Sequence, residues 1–201
     1  GTGVLFGTRP APMVVAYLVL LALIGAERLF ELQLSRRNAA WAFERGGIES
    51  GRHHFFWMRV LHTAFLAGCA LEVTLLQRHF DARVGLPMLA LVFAAQALRF
   101  WTIASLGPLW NARVIVVPGL PVVTRGPYRW LSHPNYLAVV IEGFAVPLIH
   151  GAWLTALVFS AANAVLLMVR IRCEERALAE HCRYAERLGD RPRFVPLRAV
   201  R

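Results

Sequence analysis

Five apolar runs of near membrane-spanning length dominate this chain, and most of its charge is collected in the short segments between them. Crossing a bilayer takes roughly 20 mostly apolar residues in a helix, because backbone N–H and C=O groups in lipid must be satisfied within the segment. The runs are Met13–Phe30, Trp57–Leu76, Gly85–Ile103, Tyr136–Ile149 and Trp153–Val169. Their few polar members are Glu27, Arg28 and Glu31 around the end of the first, His62 and Glu72 in the second, and Gln96 and Arg99 in the third. Such groups are expected to face the protein interior. The last two runs are joined by the short link around His150-Gly151, which predicts a helical hairpin. The expected fold is therefore an all-α integral membrane protein of about five transmembrane helices.

Composition supports this class. Of 201 residues 57% are hydrophobic, more than a soluble domain of this size needs for its core. The net charge of +10 is carried by arginine alone, since lysine is absent. A basic balance suits either nucleic acid or an anionic membrane surface. No separate polar domain could carry a duplex-binding face, so membrane lipids are the expected partner and nucleic acid is not. Cys69, Cys173 and Cys182 are odd in number and lack metal-ligand spacing, so reduced thiols are expected, with neither disulfide nor metal. With only Arg9 ahead of it and no small-residue cleavage pattern, the first run is expected to be retained as a helix.

Arginine placement sets the expected orientation, because cytoplasmic connections carry the positive excess. Arg36, Arg37, Arg45, Arg52 and Arg59 lie between the first two runs, Arg113, Arg125 and Arg129 between the third and fourth, and eight more between Arg172 and Arg201. The opposite side holds Arg9, Arg78 and Arg83, the last two partly offset by Asp81. An N-terminus outside and the polar clusters in the cytoplasm fit this count. The chain is expected to form one membrane domain over 1–201, with N-terminal transmembrane helices over 1–104 and a motif-bearing region over 105–201.

Within that region, Val114 to Val123 is rich in β-branched residues around Pro118-Gly119, which predicts a small hairpin or an extended cytoplasmic flap. Pro134 suits the first turn of a helix, with Ser132 or His133 as its N-cap, and such an N-terminus favours an anion. Glu142 lies two turns beyond Asn135 on the same face and is either a functional group or a carboxyl neutralised by Arg99 or by a proton. On the fifth run Arg170 and Glu174 are spaced i, i+4, while Glu175 and Arg172 are expected to meet solvent or the C-terminal strap. Leu178, Cys182, Ala185 and Leu188 continue an apolar stripe beyond the bilayer, Gly189 ends it, and Arg191 to Pro196 is expected to fold back as a strap.

Together, Gly126-Pro127-Tyr128, His133-Pro134-Asn135-Tyr136, Arg170-Ile171-Arg172-Cys173-Glu174-Glu175 and Arg191-Pro192-Arg193-Phe194-Val195-Pro196 resemble, in order and spacing, the C-terminal half of the isoprenylcysteine carboxyl methyltransferase family. The resemblance covers about Arg113 to Leu197. It implies an integral-membrane enzyme that moves a methyl group from S-adenosylmethionine to a lipophilic acceptor, either a small molecule or a prenylated substrate. It implies that Tyr128, His133, Pro134, Asn135, Tyr136 and Glu174 bind the cofactor, that Val122 and Val123 pack on it, and that Arg170 orients the acceptor. Ser132 stands where the family usually has arginine, and the histidine often found near Val122 is missing.

The acceptor stays open between a carboxylate, already ionised at neutral pH, and a hydroxyl such as a long-chain phenol or pyrone, which profits from a general base. His133, Glu142 and Glu175 are the candidate bases, and Glu142 joins Arg170 as a candidate catalytic residue. The expected setting is a bacterial inner membrane with the site facing the cytoplasm. Two alternatives from other classes are a non-catalytic scaffold or transporter with Glu72, Glu142 and Arg99 along a pathway, and a membrane reductase using a nicotinamide cofactor. No glycine-rich strand-to-helix turn of the soluble dinucleotide-binding kind is present.

Overall fold

The computed structural model of the chain describes residues 12–182. Five helices carry it: α1 Pro12–Phe43, α2 Arg52–Leu75, α3 Ala82–Leu106, α4 Pro134–Leu148 and α5 Trp153–His181. Two short strands, β1 Ile48–Ser50 and β2 Val114–Val116, form an antiparallel pair, with Ile48 opposite Val116 and Ser50 opposite Val114. The chain is an all-α integral membrane protein. α1, α2, α3 with the turn to Leu109, and α5 are each long and apolar enough to cross a bilayer. α4 has 15 residues, about 22 Å of helix, short of a full hydrocarbon core. Large apolar side chains such as Leu29, Leu75, Phe93 and Val158 point outward, as lipid-facing residues must.

Apolar packing is densest at one end of the bundle, where Tyr17 and Leu21 of α1, Phe65 and Val73 of α2, and Val146 and Phe159 of the α4–α5 hairpin form one buried cluster. Tyr17 Oη donates to the carbonyl of Val146 at 3.1 Å, closing the polar end of an otherwise apolar contact. At this end Glu72 caps α5 from α2: its carboxylate accepts from the backbone N–H groups of Leu154 and Thr155 and from Thr155 Oγ1, and pairs with Arg78 at 3.0 Å. The first N–H groups of a helix lack partners of their own, so a carboxylate there also meets the positive end of the dipole. Glu72 shares no hydrogen bond or ion pair with Arg99 or Glu142 among the described residues.

α1 continues to Phe43, well past the Phe30 end expected from the apolar run. Its added turns bury a narrow stripe of Glu31, Ser35, Asn38, Ala39 and Ala42, at helical spacing. Asn38 Nδ2 donates to the Trp110 carbonyl at 2.6 Å, and Ser35 Oγ donates to Asn111 Oδ1 at 2.6 Å and accepts from Ala112 N at 3.1 Å. The helix is thus held by polar docking of the segment before β2, a partner that periodicity cannot reveal. β2 likewise pairs with the α1–α2 link and not with its own continuation: Pro121, Val122 and Val123 form no strand, so the local hairpin is not built and an extended flap remains. Pro118 and Pro121 have no N–H to give a ladder. α5 extends to His181, past the bilayer run as expected. Gly189 and the strap Arg191 to Pro196 lie outside the described residues.

A charged cluster joins three helices near their middle. Arg99 of α3 is 3% exposed, with Nη2 2.5 Å from Glu142 Oε2 and Nε 3.2 Å from Oε1, and Arg28 of α1 bonds Glu31 at 2.6 Å while lying 3.4 Å from Glu142. Gln96 of α3 donates to Glu27 of α1. Removing one member of a buried ion pair strands the other, at a cost of roughly 3–5 kcal/mol. Arg99→Met is therefore expected to lower the thermal unfolding midpoint in detergent strongly, with partial recovery in the double variant Arg99→Met/Glu142→Gln; an unchanged midpoint for the single variant contradicts the role.

Candidate functional site

The α1–α2 link, the α3–α4 link and the last turns of α5 meet at the other end of the bundle, where β1 pairs with β2 and Val114 and Val116 pack on Ala177 of α5. Beside them lies a cavity of about 130 Å³. Its lining is aliphatic along β2 and the extended flap through Val122 and Val123, and is completed by Tyr128, Ser132 and Tyr136, by Glu174 and Leu178 of α5, and by Cys182 just after that helix.

Each wall is placed by identifiable local forces. Tyr128 sits in a short 3₁₀ turn, Gly126–Arg129, whose entry residue Gly126 has φ +60. A Cβ there would fall 2.0 Å from Ser105 Oγ, so only glycine lets the turn lie against α3. Arg125 Nε fastens the same turn by donating to the Ser105 carbonyl at 3.0 Å. Pro134 opens α4 at its first turn, and His133 occupies the N-cap without capping through its side chain. Its imidazole instead stacks on the Tyr136 ring, centroids 5.4 Å apart, and its Nε2 lies 3.1 Å from Glu175 Oε1 on α5. One turn along, Tyr136 Oη donates to Glu174 Oε2 at 2.5 Å. Two consecutive carboxylates of α5 thus bind two residues at the start of α4.

Val122, Val123, Tyr128, Tyr136 and Glu174 line the cavity. His133 and Pro134 are buried directly behind Tyr136, and Asn135 keeps a buried Oδ1 with no partner among the described residues. Arg170 is also behind the wall, 3% exposed, with Nη2 donating to the Ala112 carbonyl at 2.8 Å and the guanidinium 5.9 Å from the Tyr136 centroid. Its Nε has no partner among the described residues. Arg170 and Glu174 are therefore each engaged elsewhere and make no ion pair with one another. Glu142 stands apart, in the Arg99 and Arg28 cluster, and does not line the cavity. Glu175, expected to meet solvent or the strap, is turned inward to His133, while Arg172 is exposed.

Several wall residues were not singled out from sequence. Asn111 and Arg113 line the cavity, and Arg113 clamps β2 to β1 by donating from Nε to Glu49 Oε1 at 2.6 Å and from Nη2 to Oε2. Arg52 bonds the same carboxylate at 2.7 Å. The partners are 64 residues apart, so only the polar Asn111-Ala112-Arg113 step before a β-branched run hinted at the clamp. Burial acts to raise the Glu49 pKa, but the hydrogen bonds and charges of Arg113 and Arg52 outweigh it and hold the group below its ordinary value of 4.5.

The fold and this pocket define a polytopic membrane protein with a cavity of mixed apolar and polar lining at one end of its bundle. A model of the isoprenylcysteine carboxyl methyltransferase (ICMT) family matches residues 88–180, from α3 to the end of α5, which includes most of the cavity wall. The chain is 37% identical over 163 residues to YpbQ of Bacillus subtilis (strain 168), spanning 81% of this chain and 96% of that protein, and 27% identical over 159 residues to a protein of Haemophilus influenzae, spanning 79% and 92%. Both relatives are described only as uncharacterized. The chain belongs to the ICMT family, and membership implies a membrane methyltransferase.

The depressed Glu49 pKa means that its clamp adds stability above the unfolded carboxylate's pKa and loses it as pH falls through the folded value. Glu49→Gln is expected to lower the unfolding midpoint at neutral pH, with a cost of about 1–3 kcal/mol, and to flatten its fall below about pH 4.5. A variant whose acid profile parallels that of the unchanged protein contradicts the clamp.

Proposed function

We propose that this chain is an S-adenosylmethionine-dependent O-methyltransferase of a lipophilic hydroxyl or carboxylate compound, working at the cytoplasmic face of a bacterial inner membrane. The observation that carries the proposal is the paired contact of Tyr136 with Glu174 and His133 with Glu175, beside a cavity at the end of the bundle where the arginine-rich links converge. That end carries the positive excess, which argues for the cytoplasm.

The donor set suits the cofactor. Val122, Val123 and the aliphatic residues of β2 share the cavity lining with Tyr128 and Tyr136, side chains suited to contact a flat heterocycle. Glu174 offers a carboxylate to an ammonium or to ribose hydroxyls. The first-turn N–H groups of α4, left uncapped by the His133 side chain, suit a carboxylate. When bound, S-adenosylmethionine supplies an activated methyl group on a cationic sulfur. Tyr128 and Tyr136 favour a cation near their faces, and the apolar wall excludes water. Transfer to an acceptor oxygen is a displacement in which the protein mainly holds the partners in line.

Arg170, poised behind Tyr136 with an unpartnered Nε, is assigned the orientation of the acceptor oxygen. A carboxylate acceptor needs no proton removed, whereas a hydroxyl must give one up. Of His133, Glu142 and Glu175, the His133 and Glu175 pair adjoins the cavity through Tyr136, and it is the pair we assign to take that proton. Glu142 is assigned to holding the bundle and not to the chemistry.

Equilibrium binding of labelled S-adenosylmethionine to purified protein tests the cofactor site. Glu174→Gln is expected to weaken binding roughly tenfold or more, the worth of a lost charge-assisted contact. Arg170→Gln is expected to reduce methyl incorporation into extracted membrane lipids with a much smaller change in cofactor affinity. Absence of saturable binding rejects the enzyme, and equal loss of binding and turnover in Arg170→Gln moves that residue into the cofactor site.

A further inference from the structure

A second cavity, of about 410 Å³, lies between the first turn of α2 and the last third of α5, lined by Ser50, His54, Val169, Arg172, Cys173, Arg176, Ala177 and Glu180. It is separate from the cavity holding Glu174: the two lie on different faces of α5 and share no lining residue. From it we propose that the protein binds the phosphodiester headgroup of an anionic glycerophospholipid between α2 and α5, with Arg172 and Arg176 as the anion ligands and His54 as a hydrogen-bond partner.

Position is the first argument. Along one exposed face of α5, Val165, Met168 and Val169 are 60%, 51% and 40% exposed, and the next members of the same stripe are the exposed Arg172 and Arg176. The stripe changes from apolar to cationic within one turn, which marks the boundary between hydrocarbon and headgroups. On α2 the exposed Phe56 and Trp57 follow His54 by two and three positions, the aromatic signature of the same level. A ligand in this cavity can therefore keep acyl chains in the bilayer while its headgroup reaches the arginines.

Unmet polar capacity is the second. Among the described residues neither Arg172 nor Arg176 makes a hydrogen bond or ion pair, although most other arginines of the site end do. His54 Nδ1 is buried and has no hydrogen-bond partner among the described residues. Gly51, with φ +67, brings the chain so close that a Cβ would fall 2.7 Å from His54 Nδ1 and 2.9 Å from Cys173 Sγ. That turn holds the imidazole against α5 beside the cavity. Guanidinium groups bind phosphate oxygens in a planar fork, and a partly desolvated seat strengthens the contact.

Charge decides the ligand class. The two arginines and Glu180 together leave one net positive charge in the lining. A phosphodiester, with one negative charge, balances that lining, whereas a phosphomonoester or free phosphate carries more charge than it offsets. Zwitterionic lipids bring their own cation and gain less from the arginines.

The test is a titration of the full-length protein in uncharged detergent micelles, reading the thermal unfolding midpoint against added phosphatidylglycerol, phosphatidylcholine or millimolar inorganic phosphate. Phosphatidylglycerol is expected to raise the midpoint saturably, and the other two to leave it unchanged. Arg172→Gln/Arg176→Gln is expected to match the unmodified midpoint without lipid and to need roughly tenfold more phosphatidylglycerol for half of the shift. Arg36→Gln/Arg37→Gln, which removes two exposed arginines of α1 outside both cavities, is expected to respond as the unmodified protein does. An equal response to phosphatidylcholine, or to inorganic phosphate, overturns the lipid headgroup assignment. So does an equal loss in the two double variants, since that reports general surface charge.

Discussion

α4 is too short to be held by lipid contact alone, and its N-terminal turn is tied to two consecutive carboxylates of α5 by two side-chain bonds, Tyr136 to Glu174 and His133 to Glu175. In the low dielectric at a membrane face an unpartnered carboxylate is costly, and each of these hydrogen bonds removes one. The pair also sets the rotation of α4, because Tyr136 cannot reach Glu174 without presenting its ring to the cavity. Leu167 and Ile171 pack on the same tyrosine, so apolar burial and the polar bond favour one register of the hairpin. The remainder of the pocket is arranged around that register.

The N-terminal half of the chain serves the pocket from a distance. α1 does more than span: its final turns hold residues 107–112 through Ser35 and Asn38, and Glu49 between α1 and α2 receives Arg113. These contacts stop β2 from drifting off the bundle as a free flap. They also explain why a wall of short extended segments is stable without a sheet of its own, since two strands of three residues are marginal unless packed on a helix. Here Ala177 and Leu178 of α5 supply that surface.

Features that rest on local pattern were legible in the sequence. The apolar runs located all five helices, Pro134 marked the start of α4, and the short His150-Gly151 link marked the hairpin. The clustering of Tyr128, Tyr136, Glu174, Val122 and Val123 on one cavity could be expected only from motifs taken together. Features created by long-range polar contact were not legible. The α1 extension, the β1 and β2 pairing and the Glu49 to Arg113 clamp all join residues whose individual propensities say nothing of a partner. Glu142 had two readings from sequence, and its bonds to Arg99 and Arg28 match the reading as a neutralised interior carboxylate. Glu175 was expected to meet solvent or the C-terminal strap, and its contact with His133 was not legible because it depends on the irregular N-cap of α4 and not on helical phase.

The central claim is that one cavity, walled by the start of α4 and the far end of α5, holds the methyl donor. Its most direct test is ultraviolet crosslinking of radiolabelled S-adenosylmethionine to the purified protein, followed by peptide mapping. Label is expected on the peptides that contain Tyr128 to Tyr136 and Glu174 to Cys182, and to be displaced by unlabelled cofactor. Displaceable label confined to α1, α2 or the α4–α5 link would place the donor at another site and contradict the account.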